Sequence, residues 1–308
     1  MHPDGLIHVR LHIAAALAGR GASGKVGRVG GKVRPCVFDD DEEPMHVHRV
    51  GSLPRPLCIQ SPAVNWIIEQ SEIGRIVVPP SLPEGFALSY TTIDFEGRLN
   101  DDVAAQLMRV VRDRFGVDAT LSSCAQVHGK NVVNAAAGER WRECDSCDAL
   151  WSASRGTALA IKIADCLPVS IADSKHRVIA NIHSGWRGAA QRIVAETLDV
   201  IERETEFDAG VAQAWLGPTI RSCCFEVGEE VVDQLRTSYP HAETFVDRSR
   251  AKPHVDVAGL TAALLIQRGF APENVHDSGL CTRCDDSIFH SYRRDPNRGG
   301  RNLALIAR

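Results

Sequence analysis

Apolar residues in this chain recur at two different spacings, and those spacings divide it into helices and strands. From Asp101 to Phe115 they fall at Val103, Leu107, Val110 and Val111, one face of a helix. The same spacing returns between Gly188 and Glu202, at Ile193, Val194, Leu198 and Ile201. A third helix is predicted over Glu226–Tyr239, with Glu229 and Glu230 in the first turn facing the positive end of the helix dipole. A fourth is capped by Asp256, runs through Gln267 and is ended by Gly269. Continuous apolar runs mark strands instead: Thr157–Ile163, where Lys162 is the one charge, and Arg177–Ile182. Shorter strands are predicted in RIVVPPSLP from Arg75, in VAQAWLG up to Gly217-Pro218, in NVHDSG and in the terminal NLALIA. Strands and helices mix without a strict βαβ period, which predicts an α+β fold rather than a doubly wound sheet.

The first 45 residues do not share this pattern. LHIAAALAG has the apolar length of a signal peptide, but no cleavage context follows it. The basic, glycine-rich RGASGKVGRVGGKVR and the acidic run Asp39–Glu43 cannot bury a core. Residues 1–45 are therefore expected to be a disordered tail, with Met45 as an alternative start, and residues 46–308 to form the catalytic domain. No apolar run approaches the roughly 18–20 residues of a membrane span.

Composition narrows the function. Net charge is −4 and aromatics are 6%, so neither a basic footprint nor a base-stacking surface marks a nucleic-acid binder. The chain has 10 cysteines, but with 308 residues and 44% hydrophobic content it needs no disulfide framework. Its adjacent Cys223-Cys224 and its C-x-x-C pairs read as reduced thiols or ligands, which implies a reducing compartment.

The chemistry concentrates between Ala164 and Gly188, in ADCLPVSIADSKHRVIANIHSGWRG. Cys166 precedes Leu167-Pro168, where the chain is expected to leave a strand, and His183 precedes Ser184-Gly185, another break. Upstream, His128 precedes Gly129 in CAQVHGKNV. Each residue alone is ordinary. Together, two imidazoles and a thiolate at strand ends are the ligand set of a catalytic zinc with an open fourth position, able to activate water or polarise a substrate oxygen. Arg187 lies in the turn GWRG, ahead of a helix expected to start near Gly188, which suits either an anion site or a surface arginine in a salt bridge. SYRRDPNRGGR places Tyr292, Arg293, Arg294, Arg298 and Arg301 in a short loop, either solvated or facing substrate. Cys144-x-x-Cys147 and Cys281-x-x-Cys284 form a weaker candidate for a structural four-cysteine zinc site.

QVHGKNV, IADCLPV, HSGWRG, WLGPTIRSCCFEVGEEV and CTRC…FHSYRRD…GR also appear in the order of one family, over about Ser89 to Arg308. The chain resembles the proteins labelled multicopper polyphenol oxidase or laccase-type, now regarded as purine nucleoside phosphorylases, with the bacterial peptidoglycan editing factor among them. The resemblance implies a single-domain mixed β-sandwich with flanking helices, in α/β/β/α layers. It places the zinc ligands on His128, Cys166 and His183, one Zn2+ per chain, and substrate or phosphate contacts on Arg187, Arg293 and Arg294. It implies phosphorolysis of adenosine, inosine and S-methyl-5'-thioadenosine, with adenosine deamination as a second reaction. Partners are then purine nucleosides and phosphate, without nucleic acid or membrane, in a monomer or small homo-oligomer. The chain departs from the family in two places: GFALSYTTIDFEGRLNDD stands where members carry FTTRxGGVS, without its arginine and paired glycines, and CDSCDALW places Cys144 and Cys147 where members have fewer thiols.

Three other chemistries can be weighed on the same residues. The usual zinc deaminase signature, H-x-E with P-C-x-x-C, is absent, so deamination needs another arrangement. Cys166 with His183 or His128 would also suit a metal-free amide hydrolase of the peptidoglycan-editing type. Copper-dependent polyphenol oxidation is least favoured, because the one H-x-H pair, His46 and His48, sits at the edge of the predicted tail.

Overall fold

Most of the long apolar runs become strands covered on both faces, and this stacks the chain in layers. The computed structural model describes residues 66–308 except Glu96, Ala137, Glu139 and Arg140, together with a two-residue strand at Gly27–Arg28. The rest of the predicted tail, Met45, His46 and His48 lie outside the described residues.

One sheet has eight strands, in spatial order β1 (Gly27–Arg28), β2 (Ile67–Ser71), β3 (Gly74–Val78), β4 (Ala87–Thr91), β16 (Asn302–Ala307), β9 (Thr157–Ile163), β5 (Thr120–Cys124) and β7 (Arg142–Cys144). The other has six: β15 (Val275–Asp277), β12 (Gln213–Leu216), β10 (Leu167–Asp173), β11 (Val178–Ser184), β8 (Ala149–Ser152) and β6 (Val132–Asn134). A third pairing joins β13 (Val246–Asp247) to β14 (His254–Val255). Parallel and antiparallel pairs mix in both large sheets, as β5 runs parallel to β9 while β16 runs antiparallel to it.

The period-2 alternation of each strand sorts its side chains between layers. Leu303 and Leu305 of β16 pack with Leu107 and Val111 of α1 (Asp101–Phe115), on the outside of the eight-stranded sheet. Ala304 and Ile306 point the other way, joining Leu159, Ile161, Ile179 and Trp215 between the two sheets. Beyond the six-stranded sheet, Val169, Ile171, Ala180 and Ile182 pack with Leu198 of α3 (Ile193–Glu204), Val232 of α4 (Glu229–Ser238) and Leu265 of α5 (Val257–Gln267). The result is the single-domain α/β/β/α sandwich.

Three elements differ from the pattern-based expectation. The helix predicted from Gly188 is two helices, α2 (Trp186–Ala190) and α3, broken where Arg192 takes a left-handed φ of 61°. The helix predicted from Glu226 begins at Glu229, because Phe225 and Val227 instead bond backbone to backbone with Val255 and Pro253. Leu167-Pro168, expected to end a strand, begins β10 instead. Proline is tolerated there because it is the second residue of the strand.

One buried side chain ties the two sheets together. Asn181 of β11 donates to the carbonyls of Leu159 on β9 at 2.9 Å and Ala304 on β16 at 2.8 Å, and accepts from Ser170 Oγ at 3.1 Å. Leucine has nearly the same volume and none of these bonds. Asn181→Leu should therefore cost about 1–3 kcal/mol and lower the thermal midpoint by several degrees. An unchanged melting curve would mean that the sheets' own ladders satisfy these groups.

Candidate metal centre

The β10–β11 hairpin sets the spacing of two site residues. Its register pairs Leu167 with Ser184 and Pro168 with His183, so Cys166, one residue before β10, meets the end of β11. Seventeen residues of sequence separation become direct contact. The next position along β11 is Gly185, and a Cβ there would lie 2.7 Å from Cys166 Sγ, which no other residue could accommodate without a shift. Alternation puts His183 on the same face as Ile179 and Asn181, towards the eight-stranded sheet. His128 arrives from that side, on the loop after β5, with a left-handed φ of 60°.

The donor atoms of His128, Cys166 and His183 all lie within 4.8 Å of one another. The two imidazoles meet edge-on, with centroids 4.9 Å apart. His183 is buried, Cys166 half-buried and His128 exposed, so the cluster has an open side.

A carboxylate absent from the sequence-based candidates organises two of the three. Asp148, fully buried, accepts His183 Nδ1–H at 2.8 Å on Oδ1, leaving Nε2 to face the cluster. Its two oxygens also accept the backbone N–H groups of Val127 at 3.1 Å, His128 at 3.0 Å and Gly129 at 2.8 Å, which fixes the left-handed turn at His128. A carboxylate behind a histidine is the usual outer shell of a metal site. The nearest sequence signal for Asp148 is its place directly ahead of the buried strand Ala149–Ser152.

A second aspartate, next to Cys166 in the chain, fixes the backbone that leads into it. Asp165, at φ 88°, accepts Thr282 Oγ1 and the Arg293 N–H, each at 2.6 Å. Its carbonyl accepts Ile220 N–H at 3.0 Å and Thr219 Oγ1 at 2.7 Å. The residue before Cys166 is thus anchored from three directions.

Electrostatics favour a thiolate here. Burial opposes ionisation of Cys166, but hydrogen bonds and charge from His128 and His183 outweigh it and bring the thiol down to about 6. Burial likewise disfavours the His183 imidazolium, yet Asp148 and Cys166 raise it to about 9. Burial works against the Asp148 carboxylate as well, and His183 and the backbone N–H groups hold it below the usual range. Soft thiolate beside two imidazoles is a donor set that zinc accepts.

A small recess of about 50 Å³ adjoins Cys166, lined by Trp186, Phe225, Ile220 and Val257 among others. Arg187 is exposed and stacks on Trp186 at 4.4 Å; Arg293 stacks on Phe225 at 5.4 Å. Arg187 lies inside the first turn of α2, not ahead of a helix beginning at Gly188. Arg294 is turned inward, donating to the carbonyls of Thr282, Arg283 and Phe289 and to Asp295. Tyr292 is exposed, and Arg301 bonds the carbonyl of Gly300.

The predicted Cys144–Cys147–Cys281–Cys284 grouping does not form. Cys147 is buried with its Sγ 3.0 Å from Cys124, while Cys281 and Cys284 meet Cys223 and Cys224. No helix among the described residues is long and apolar enough to cross a membrane.

A sequence-family model described as multi-copper polyphenol oxidoreductase laccase matches residues 87–308. The chain is 37% identical over 185 residues to a purine nucleoside phosphorylase of Deinococcus radiodurans, covering 59% of this chain and 67% of that protein. It is 32% identical over 166 residues to adenosine deaminase RL5 from an unknown prokaryotic organism, covering 53% of this chain and 63% of that protein. The crystal structure of YlmD from Geobacillus stearothermophilus superposes with a TM-score of 0.67 at 22% identity, covering 78% of this chain and 98% of that one. The YfiH structure of Bacillus licheniformis gives the same TM-score of 0.67 at 24% identity, covering 75% of this chain and 96% of that one. The two structures share the fold described above.

Asp148→Asn keeps the shape of the buried group and removes its charge. Zinc affinity, measured by competition with a chromophoric chelator, should fall about 10–100-fold. Unchanged affinity in the folded variant would reduce Asp148 to a purely architectural residue.

Proposed function

The chain belongs to the multi-copper polyphenol oxidoreductase laccase family, and we propose that within it this protein is a zinc-dependent purine nucleoside phosphorylase. Its substrates are adenosine, inosine and S-methyl-5'-thioadenosine with phosphate; its products are the free purine and ribose 1-phosphate or its methylthio counterpart. Adenosine deamination is a second reaction of the same site. The observation that carries this reading is the His128–Cys166–His183 cluster opening beside an aromatic-walled recess. The names of the Deinococcus phosphorylase and of RL5 support both reactions.

The chain's own residues each have a task. Trp186 and Phe225, which line the recess, offer apolar ring surface to a purine. Arg187 and Arg293 do not line the recess but stack on those same two rings, and they are the positive charge proposed for phosphate. Arg294 supports the loop that carries Arg293. His128, Cys166 and His183 would hold the metal, and Asp148 keeps His183 in the tautomer that presents Nε2. When bound, zinc supplies a Lewis acid for a substrate oxygen or for water. A reduced thiol cluster and a nucleoside substrate suit a cytoplasmic protein.

The thiolate–imidazolium pair would also serve a metal-free Cys–His amide hydrolase. The second imidazole favours the metal reading: a nucleophile needs one base, whereas both His128 and His183 converge on Cys166. Copper oxidase chemistry needs several histidine-rich sites. Among the described residues the other metal-binding group contains four cysteines and no histidine.

His128→Ala and Cys166→Ala should each abolish nucleoside turnover and lose the zinc held at this cluster, with the circular dichroism spectrum unchanged. Turnover surviving either change would refute the zinc mechanism, and rapid alkylation of Cys166 in active, metal-loaded protein would point to the hydrolase. Arg187→Ala should raise the phosphate KM about 10-fold or more while zinc content stays constant. A phosphate KM equal to wild type would remove Arg187 from the anion site.

A further inference from the structure

Four thiols meet in a second group, separate from the cluster just described. Cys223 and Cys224 sit in the loop between β12 and α4; Cys281 and Cys284 sit in the turn after β15. All four Sγ atoms lie within 4.8 Å of one another. Cys223 Sγ is 3.6 Å from those of Cys224, Cys281 and Cys284, and Cys224 Sγ is 3.3 Å from Cys284 Sγ. We propose that Cys223, Cys224, Cys281 and Cys284 form a second metal site, a structural tetrathiolate that holds zinc.

The distances favour a metal over a disulfide. Four sulfurs around zinc at about 2.3 Å lie about 3.8 Å apart along the edges of a tetrahedron. The separations of 3.3–3.6 Å are close to that edge. A disulfide requires about 2.05 Å, and all four cysteines are free. Each Sγ has three sulfur neighbours, whereas a disulfide needs only one. Four thiolates around Zn2+ leave a net charge of −2. The Arg283 guanidinium, 3.5 Å from Cys224 Sγ, supplies compensating charge. Arg250 supports the same loop by donating to the Cys223 carbonyl at 2.9 Å.

The site would have a mechanical consequence. The two cysteine-bearing segments are laced together by backbone bonds from Thr219 N–H to Leu280 O at 3.3 Å and from Thr282 N–H to Thr219 O at 3.0 Å. Thr219 and Thr282 are the residues whose hydroxyls hold Asp165, the neighbour of Cys166. A metal across the four thiols clamps these segments and so fixes the approach of Cys166. It has no open position and touches no substrate. The proposal does not depend on which reaction the first cluster performs.

Zinc analysis of the full chain, purified under reducing conditions, tests it. Wild-type protein should bind about two zinc ions per chain; His128→Ala should keep about one, and Cys284→Ser should keep about one. Cys284 is exposed, so its replacement disturbs packing least. Cobalt gives a second readout that does not require the wild-type stoichiometry. Intense thiolate-to-cobalt charge transfer should persist in Cys166→Ala and fall sharply in Cys223→Ser/Cys284→Ser. Overturning results would be one zinc per chain in wild type that Cys284→Ser leaves in place, equal cobalt spectra in those two variants, or a mass showing disulfides among these cysteines in reductant-purified protein.

Discussion

The site depends on one buried negative charge. Removing a carboxylate from water is expensive unless nearby donors replace its hydration. Asp148 has four such donors: three consecutive backbone N–H groups from Val127 to Gly129, and the His183 ring. The same carboxylate therefore bends the loop that carries His128 and sets the tautomer of His183. Those two ligands come from opposite sheets, β5 leading to one and β11 carrying the other. Asp148 joins them at the end of the sandwich where the sheets meet. Asn181 performs a related task two residues before His183, with an uncharged amide bonding across to the facing sheet. Thus β11 is fixed against the other sheet both at its ligand and inside its core.

Asp165 is the counterpart of Asp148 for the thiol. It holds no ligand directly, but its left-handed backbone turns the chain from β9 into β10, and its carboxylate gathers Thr282 and Arg293 from late in the sequence. Cys166 is consequently placed by the local β10–β11 register on one side and by long-range contacts on the other. The three ligands lie within 56 positions of sequence, yet the segment fixing one of them lies more than 100 residues beyond it.

Much of this was legible in the sequence where one signal had one meaning. Helix α1 spans the predicted residues because an apolar stripe is bounded by an Asn100 cap and by Gly116 in a left-handed C-terminal turn. Asp256 likewise caps α5 through the Gly259 N–H. Arg192 carries no comparable mark, since arginine has no preference for the left-handed conformation that divides α2 from α3. Pro168 misleads because the same residue can end a strand or sit near the start of one. The grouping of His128, Cys166 and His183 was legible because each combines a side chain able to bind metal with a break in the chain. Asp148 was not: its importance lies in four donors that converge only after folding. The cysteines show the same limit. C-x-x-C spacing marks Cys281 and Cys284 as a pair, but nothing in the spacing says that they meet Cys223 and Cys224 rather than Cys144 and Cys147.

The family pattern is thinnest where GFALSYTTIDFEGRLNDD replaces the arginine-bearing segment, and the structure shows how this chain closes that region. Asp94 takes two hydrogen bonds of 2.8 Å from Arg75, and His290 Nε2 bonds the Phe95 carbonyl at 2.9 Å. The Asp94 charge there is neutralised by Arg75, while the segment's own arginine, Arg98, is exposed. On the phosphorolysis reading, Arg187 and Arg293 are the counter-charge proposed for phosphate. Arg187, among the described residues, makes no ion pair and rests on Trp186. Arg293 reaches the Glu226 carbonyl with one nitrogen and keeps its plane over Phe225. Both guanidinium groups stand on rings that also wall the recess. Each ring is thus shared between a guanidinium and the recess, so on that reading a change at Trp186 or Phe225 disturbs the apolar surface and the neighbouring arginine together.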